Sequence, residues 1–313
     1  MEHGTIDILL STYNGSRYIH DFYKSIVVQR RAGMNLVVRD DGSSDGTVDF
    51  LRQAVAEYSD ASLLDTGDNV GVTMSFSRLL GLSRADYCFF ADQDDVWHKD
   101  KVDLFMAAMV RLEDMHGKDV PLMVFSDLRV VDENLEELCD SLWRFQGLNP
   151  SEDASFNRLL LQPMVTGCAV MFNRKARDLA YPIPSEALMH DWWLSLVVSG
   201  LGYFSLINEP TVDYRQHSAN EVGARDKPSA GKITQLFSLE YINRFRADIH
   251  RCIRQARVYG ERFADRLSPR DRQALSCLTA LEDINWFERR RCLLRNRVMR
   301  SGLLRNMVMF LLV

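Results

Sequence analysis

Hydrophobic and polar positions along the first 130 residues switch between two rhythms. Thr5–Ser11, Asn35–Asp40, Ala61–Asp65 and Asp86–Ala91 are short apolar runs rich in β-formers and read as strands. Between them the spacing becomes helical. Tyr18, Ile19, Phe22, Tyr23, Ile26 and Val27 share one face, and further helices are predicted over about 47–58, after Gly71, and over about 99–115. This alternation predicts βαβ units and a parallel sheet, an α/β fold. From 121 to 216 the pattern is mixed. Met123–Asp127, Cys168–Phe172, Tyr203–Ile207 and Thr211–Arg215 read as strands, and a helix runs from Asp191 to Gly200. Beyond Pro228-Ser229-Ala230-Gly231, which reads as a linker, the chain is predicted helical. Tyr241, Ile242, Phe245, Ile249, Cys252, Ile253, Ala256 and Phe263 form one apolar face, and Ser268-Pro269-Arg270-Asp271 resembles a capping box.

In open α/β sheets, ligands bind beyond the carboxyl ends of the strands. Three predicted strand ends carry polar clusters: Ser11-Thr12-Tyr13-Asn14, Asp40-Asp41-Gly42 and Asp92-Gln93-Asp94-Asp95. The last has three acids in four residues, which repel one another unless a cation or hydrogen bonds compensate. Oxygen donors of this kind suit Mg²⁺ or Mn²⁺ beside phosphate oxygens; a solvated acidic loop that caps the next helix is the plainer alternative. Trp97 stands where an EF-hand needs glycine, and no GxGxxG follows the first strand. Asp40-Asp41-Gly42-Ser43-Ser44-Asp45-Gly46-Thr47 is a turn with a helix cap, but such a turn needs only one of its two leading acids. The other can accept from a base or a ribose, which together with the metal loop suggests a nucleoside diphosphate.

The 313 residues give a prior of about two domains. With 46% apolar and 26% charged residues, the chain is not disordered, collagen-like or coiled-coil. Six cysteines without CxxC pairs read as reduced and mostly buried. Met1-Glu2-His3-Gly4 has no basic region before an apolar run, so no signal peptide is expected, and no stretch reaches the ~18 apolar residues of a membrane span. The net charge of −5 hides an asymmetry: residues 241–313 hold 16 Arg, no Lys and 7 acids, +9, which leaves −14 on the rest.

These motifs, in this order, resemble the family-2 glycosyltransferases of the GT-A fold over roughly residues 4–220. Ser11-Thr12-Tyr13-Asn14-Gly15 matches the opening nucleotide motif, Asp40 to Thr47 the second, Asn69-Val70-Gly71 the glycine loop and Asp92-Gln93-Asp94 the DxD metal motif. Ala91-Asp92-Gln93-Asp94-Asp95-Val96-Trp97 and Tyr214-Arg215-Gln216-His217-Ser218-Ala219-Asn220 resemble the rhamnosyltransferase-like branch, which often uses dTDP-rhamnose. The resemblance implies a GT-A, Rossmann-like βαβ nucleotide-binding domain over 1–225, a linker at 226–240 and a basic helical C-terminal region at 241–313. It implies that Ser11, Tyr13, Asp41, Asn69, Gly71 and Asp92 bind the donor nucleotide, and that Asp94 and His217 ligate Mg²⁺ or Mn²⁺. The family's catalytic base, often the Asp of a Glu-Asp pair, falls on Asp191, with His190 in place of Glu. Asp95, Trp97, Gly167, His190 and Trp192 are candidate sugar or acceptor contacts, although Asp191 could simply cap its helix and a Trp pair is more often core.

The reading is then a metal-dependent inverting hexosyltransferase. It takes a sugar from dTDP-rhamnose or a UDP-sugar to a glycan or lipid-linked acceptor in cell-surface polysaccharide synthesis. The alternatives are a sugar nucleotidyltransferase, which would want a lysine-bearing phosphate loop after the first strand, and an inactive scaffold. The arginine-rich end, from Arg289-Arg290-Arg291 onward with Leu and Met interleaved, suits an anionic membrane; packing on the body or across a homodimer competes with this. Nucleic acid is not expected, since aromatic interleaving is sparse and the body is acidic. The expected location is the cytoplasm, peripheral to the inner face of the membrane.

Overall fold

The computed structural model describes residues 4–57, 60–64, 68–218, 220 and 239–313. Its strands are β1 (Ile6–Thr12), β2 (Met34–Asp40), β3 (Ala61–Leu64), β4 (Tyr87–Asp92), β5 (Val96–Trp97), β6 (Leu122–Val131), β7 (Glu137–Cys139), β8 (Val170–Asn173) and β9 (Tyr203–Arg215). Among the described residues they form one sheet in the order β3-β2-β1-β4-β8-β6-β9-β5, with β7 on β6. β3, β2, β1 and β4 run parallel, as the alternation predicts. β8 runs antiparallel to both β4 and β6, and β6 pairs parallel with β9, so the second half is mixed.

Helices α1 (Ile19–Val27), α2 (Thr47–Glu57), α3 (Val72–Leu82) and α4 (Lys101–His116) connect the first strands. The two-residue period of β1 divides the core. Ile6, Ile8 and Leu10 join one cluster with Phe22, Phe89 and Phe105, whereas Leu9 joins the other with Phe76, Phe90 and Trp193. Short helices α5 (Leu142–Gln146), α6 (Pro150–Asp153), α7 (Phe156–Leu159) and α8 (Arg174–Ala180) precede α9 (His190–Leu201).

Three expectations change. Gly167–Ala169 is a 3₁₀ turn, and the strand read from Cys168 begins at Val170. The two strands read over 203–215 are one, β9, whose register on β6 shifts where Asp127 faces Pro210; proline has no N–H to give the ladder. Cys277 and Cys292, read as reduced, form a disulfide between neighbouring helices with a Cα–Cα distance of 5.8 Å. Cys88, Cys168 and Cys252 are free and buried, as expected.

The C-terminal helices are α10 (Leu239–Phe263), α11 (Pro269–Thr279), α12 (Trp286–Asn296) and α13 (Leu303–Leu312). The linker expected at 226–240 falls, through residue 238, outside the described residues. The predicted face of α10 is buried: Phe245, Ile249, Ile253 and Phe263 sit in the same cluster as Phe156 and Trp193. Tyr259 meets Trp193 edge-on at 5.8 Å. The Ser268 hydroxyl accepts the Asp271 N–H at 3.1 Å with Pro269 in the first turn, the expected cap. No helix among the described residues is long and apolar enough to cross a membrane.

Candidate active site

The carboxyl ends of β1, β2 and β4 are adjacent, because β1 pairs with both neighbours in register. The loop after β1 is tied to the loop after β4 by Gln93, which accepts from the Tyr13 N–H at 3.0 Å and donates to the Tyr13 carbonyl at 2.8 Å. A Cβ on Gly15 would come within 2.1 Å of Gln93 Oε1 and would displace this bridge. Ser11 Oγ lies 2.6 Å from Ser75 Oγ, and the Tyr13 side chain is half exposed.

The two leading acids of the second motif do different work. Asp40 closes its own turn, accepting from Thr12 Oγ1 at 2.8 Å, Ser43 Oγ at 2.6 Å and the backbone N–H groups of Gly42 and Ser43. Asp41 accepts from Arg39 Nη1 at 2.5 Å and from the N–H groups of Val70 and Gly71 at 2.9 and 2.8 Å. It thereby fixes the Asn69–Gly71 loop, where Gly71 has φ +80° and needs to be glycine. Asn69 Oδ1 also accepts from the Gly71 N–H at 3.2 Å.

β4 ends in the acids. No donor meets the Asp92 carboxylate among the described residues. Burial, then the nearby Asp94 and Asp191 charges, push it up to about 7, against the pull of Lys101. Asp94 Oδ2 meets His217 Nε2 at 2.8 Å and Asn220 Nδ2 at 3.4 Å. The His217 ring stacks on Tyr18 at 4.6 Å, and the Arg215 guanidinium lies 4.7 Å from the same Tyr18 ring. Asp95 is fully buried. Its Oδ1 accepts the Arg215 N–H at 3.1 Å, its Oδ2 has no partner among the described residues, and burial, then Asp94 and Asp92, hold its pKa well above the usual range.

Among the described residues, ligand-type side chains gather at this edge in two places. Asp92, Asp95 and Cys168 offer ligand atoms within 4.8 Å of one another, but this set includes a thiol and is neighboured by the Lys101 charge, which does not suit a hard ion. Asp94 and His217, the ligands expected from the sequence, meet at 2.8 Å in a less enclosed place, and carboxylate and imidazole are donor types that suit Mg²⁺ or Mn²⁺.

Asp191 stands in the first turn of α9. Its Oδ2 accepts the Gly167 N–H at 2.8 Å and its Oδ1 the Trp192 N–H at 2.6 Å. Burial raises it to about 6, opposed by those two N–H donors. His190 is 3% exposed. It stacks on Phe76 at 3.8 Å and meets Phe90 edge-on at 4.7 Å. Neither of its nitrogens has a partner among the described residues, and burial lowers it to about 3, so it is neutral. A Cβ on Gly167 would lie 2.8 Å from His190 Nε2, so only glycine fits the turn that holds Asp191. Trp97 is buried, and Trp192 and Trp193 are core residues whose indole N–H groups donate to the Leu159 and Ala180 carbonyls at 2.5 and 3.0 Å.

The model of the family described as glycosyl transferase family 2 matches residues 7–178, more than half of the chain. The chain belongs to glycosyl transferase family 2. It is 26% identical to the dTDP-rhamnosyl transferase RfbG of Shigella flexneri over 224 residues, 69% of this chain and 74% of that protein. Two solved structures share the fold. The mannosyltransferase PcManGT of Pyrobaculum calidifontis, in complex with GDP-Man and Mn²⁺, has a TM-score of 0.55 at 15% identity over 99% of this chain and 79% of that one. S. aureus TarS 1–349 in complex with UDP has a TM-score of 0.54 at 14% identity over 94% and 91%.

In this family-2, GT-A enzyme three residues that sequence reasoning passes over join the site. Lys101, fully buried, places Nζ 3.6 Å from the Trp97 ring centre and donates to the Cys168 carbonyl, next to the Gly167 that holds Asp191. Arg215 donates through Nε to the Asp94 carbonyl at 2.9 Å and through Nη2 to Asp21 at 2.9 Å, locking the end of β9 to the DxD loop. The Tyr18 ring packs against both Arg215 and His217. The signal that could have flagged Lys101 is its place between Trp97 and Phe105, inside an otherwise apolar helix face.

Proposed function

We propose that this family-2 enzyme is a metal-dependent inverting glycosyltransferase. It would transfer a sugar, rhamnose from dTDP-rhamnose or else a sugar from UDP, to a hydroxyl of a glycan or lipid-linked acceptor in cell-surface polysaccharide synthesis. A nucleotide-sugar donor would place the reaction on the cytoplasmic side. The observation that carries the reading is the convergence of Asp191 with the DxD acids: Asp191 is close enough to Asp92 to help raise its pKa. The similarity to the rhamnosyl transferase RfbG supports the choice of donor.

In this reading Ser11, Tyr13, Asp41, Asn69 and Gly71 shape the pocket for base and ribose, with Tyr13 offering its exposed ring as a stacking face. Asp94 and His217, with Asp92, would hold Mg²⁺ or Mn²⁺, whose contribution is to neutralise charge developing on the leaving diphosphate. Asp191 takes the proton of the acceptor hydroxyl, and that oxygen bonds to the anomeric carbon as the bond to the diphosphate breaks on the opposite face. One displacement inverts the centre. His190, neutral and ring-stacked, keeps Asp191 in place by filling the space behind it. Gly167 presents the N–H that orients the carboxylate.

The test is release of nucleoside diphosphate from dTDP-rhamnose, UDP-glucose, UDP-GlcNAc and GDP-mannose, each with Mn²⁺ and with EDTA. Slow Mn²⁺-dependent hydrolysis of one donor, dTDP-rhamnose first among them, is expected. Hydrolysis of that donor undiminished by EDTA, or of none, would sink the metal-dependent reading.

A further inference from the structure

We propose that α12 and α13 form a docking surface for an anionic lipid bilayer. This deepens the preceding reading by naming the surface on which a lipid-linked acceptor would be met, and it rests on that reading for its purpose but not for its geometry.

The stretch 286–313, which holds both helices, contains seven arginines and a single acid, Glu288. Two of those arginines set the architecture. Arg289 Nη1 donates to the Val313 carbonyl at 2.9 Å and Arg290 donates to the Phe310 carbonyl, satisfying acceptors that a helix end leaves open. This brings the end of α13 to the start of α12. Arg290 also lies over the Trp286 ring at 3.4 Å, so half-exposed Trp286 and exposed Phe287 stand near that end.

α13 is apolar on two sides. Val308 and Met309 face the core. Leu303, Met307 and Leu311, spaced i, i+4, i+8, are 79%, 53% and 61% exposed. Single exposed leucines are ordinary, whereas a stripe along one helix beside two exposed aromatics marks an interaction surface. Arg291, Arg295 and Arg297 on α12 and its cap are exposed as well, with Leu294 among them.

Charge decides the occupant. A second copy docked by the same face would set seven arginines against seven with only one acid, Glu288, in each copy to answer them. Nucleic acid would answer the arginines but leave the Leu and Met stripe in water. An anionic bilayer meets both demands, taking the apolar side chains into its interfacial layer and the guanidinium groups at its headgroups.

The experiment is co-sedimentation of the full-length protein with phosphatidylcholine vesicles, with and without phosphatidylglycerol. Binding to the anionic vesicles alone, reversed by salt, is expected. At ~1 kcal/mol per basic side chain and tenfold per ~1.4 kcal/mol, R291Q/R295Q/R297Q should bind roughly a hundredfold more weakly. L303S/M307S/L311S should lose binding while keeping the wild-type melting temperature and rate of donor hydrolysis, since these residues lie outside the catalytic machinery. Equal binding to neutral vesicles, or unchanged binding by both variants, overturns the proposal. So does a concentration-dependent dimer that the serine variant abolishes in the absence of vesicle binding, or retention on an oligonucleotide in preference to anionic vesicles. Vesicle binding by a protein that hydrolyses no donor leaves the surface standing and removes the functional reading instead.

Discussion

The strand edge built from β1, β2 and β4 and the layer built from α10 to α13 carry opposite charge, and they satisfy it differently. At the edge, Asp40 and Asp41 are surrounded by donors, whereas Asp92, Asp94 and Asp95 crowd together with too few. In the helical layer Arg251 and Arg257 pair with Asp248 and Glu282 at 2.5 and 2.7 Å, and other arginines turn to backbone carbonyls: Arg262 to Pro182 at 2.6 Å, Arg272 to Ala264 at 2.9 Å and Arg305 to Gln146 at 2.9 Å. What this layer leaves open is apolar surface. An electrostatic deficit at one place asks for a cation and a phosphate; an apolar surplus at the other asks for a surface. The same comparison separates a region that does chemistry from one that holds and places it.

The sharpest way to test the chemical half is Asp191→Asn. Asparagine can still accept the Gly167 N–H, so the turn should survive while the base is lost. Removing a general base commonly costs ~10²–10⁴ in rate, and transfer should fall by that much with nucleotide-induced thermal stabilisation close to normal. The wild-type profile has a defined sign. The base works deprotonated, so kcat/KM should hold above about 6 and decline tenfold per unit as pH falls through it. Near-normal transfer by the variant would move the base elsewhere.

Lys101→Met tests whether the edge is as electrostatically tight as its geometry implies. Methionine can fill the cage of Phe89, Trp97 and Phe105, but the Cys168 carbonyl loses its donor and Asp95 and Asp92 lose a nearby cationic group. Leaving a buried acceptor without its donor costs ~1–3 kcal/mol. The urea-unfolding free energy should drop by that order, and adding Asp95→Asn should restore part of it, because the amide needs no cation. Strictly additive losses would show that the two groups are uncoupled.

The strand ends and their acids are legible in the sequence because each cluster directly follows an apolar run, and α10 is legible because Phe245, Ile249, Ile253 and Ala256 keep the helical period. The rest is hidden for identifiable reasons. Helices α5 to α8 have four to seven residues, too few for a period to declare itself. A lysine after a loop is ordinarily at the surface, and the apolar helix face on which Lys101 stands is a weak local sign that it is enclosed. His190 is neutral and inert to hydrogen bonding only because Phe76 and Phe90, far away in sequence, close on it. Asp95 is a buried brace to Arg215 across 120 residues, and no spacing rule reaches so far.

The smallest expected effect lies in the helical layer and has the opposite sign. Tyr259 is buried among Phe156, Trp193 and Phe263, and its hydroxyl has no partner among the described residues. Gly200 makes the room, since a Cβ there would stand 2.3 Å from that hydroxyl. A buried hydroxyl without a partner costs free energy that its ring packing must offset, and removing it relieves that cost while keeping the ring. Tyr259→Phe should therefore be neutral or stabilising by up to ~1 kcal/mol in urea unfolding, with donor hydrolysis unchanged. At the acidic edge, deleting a buried polar group strands a partner; here there is none to strand. A loss of more than ~1 kcal/mol would mean that the hydroxyl is held, by a buried water for instance, and the contrast between the two regions would then lie in charge alone rather than in how fully each satisfies its polar groups.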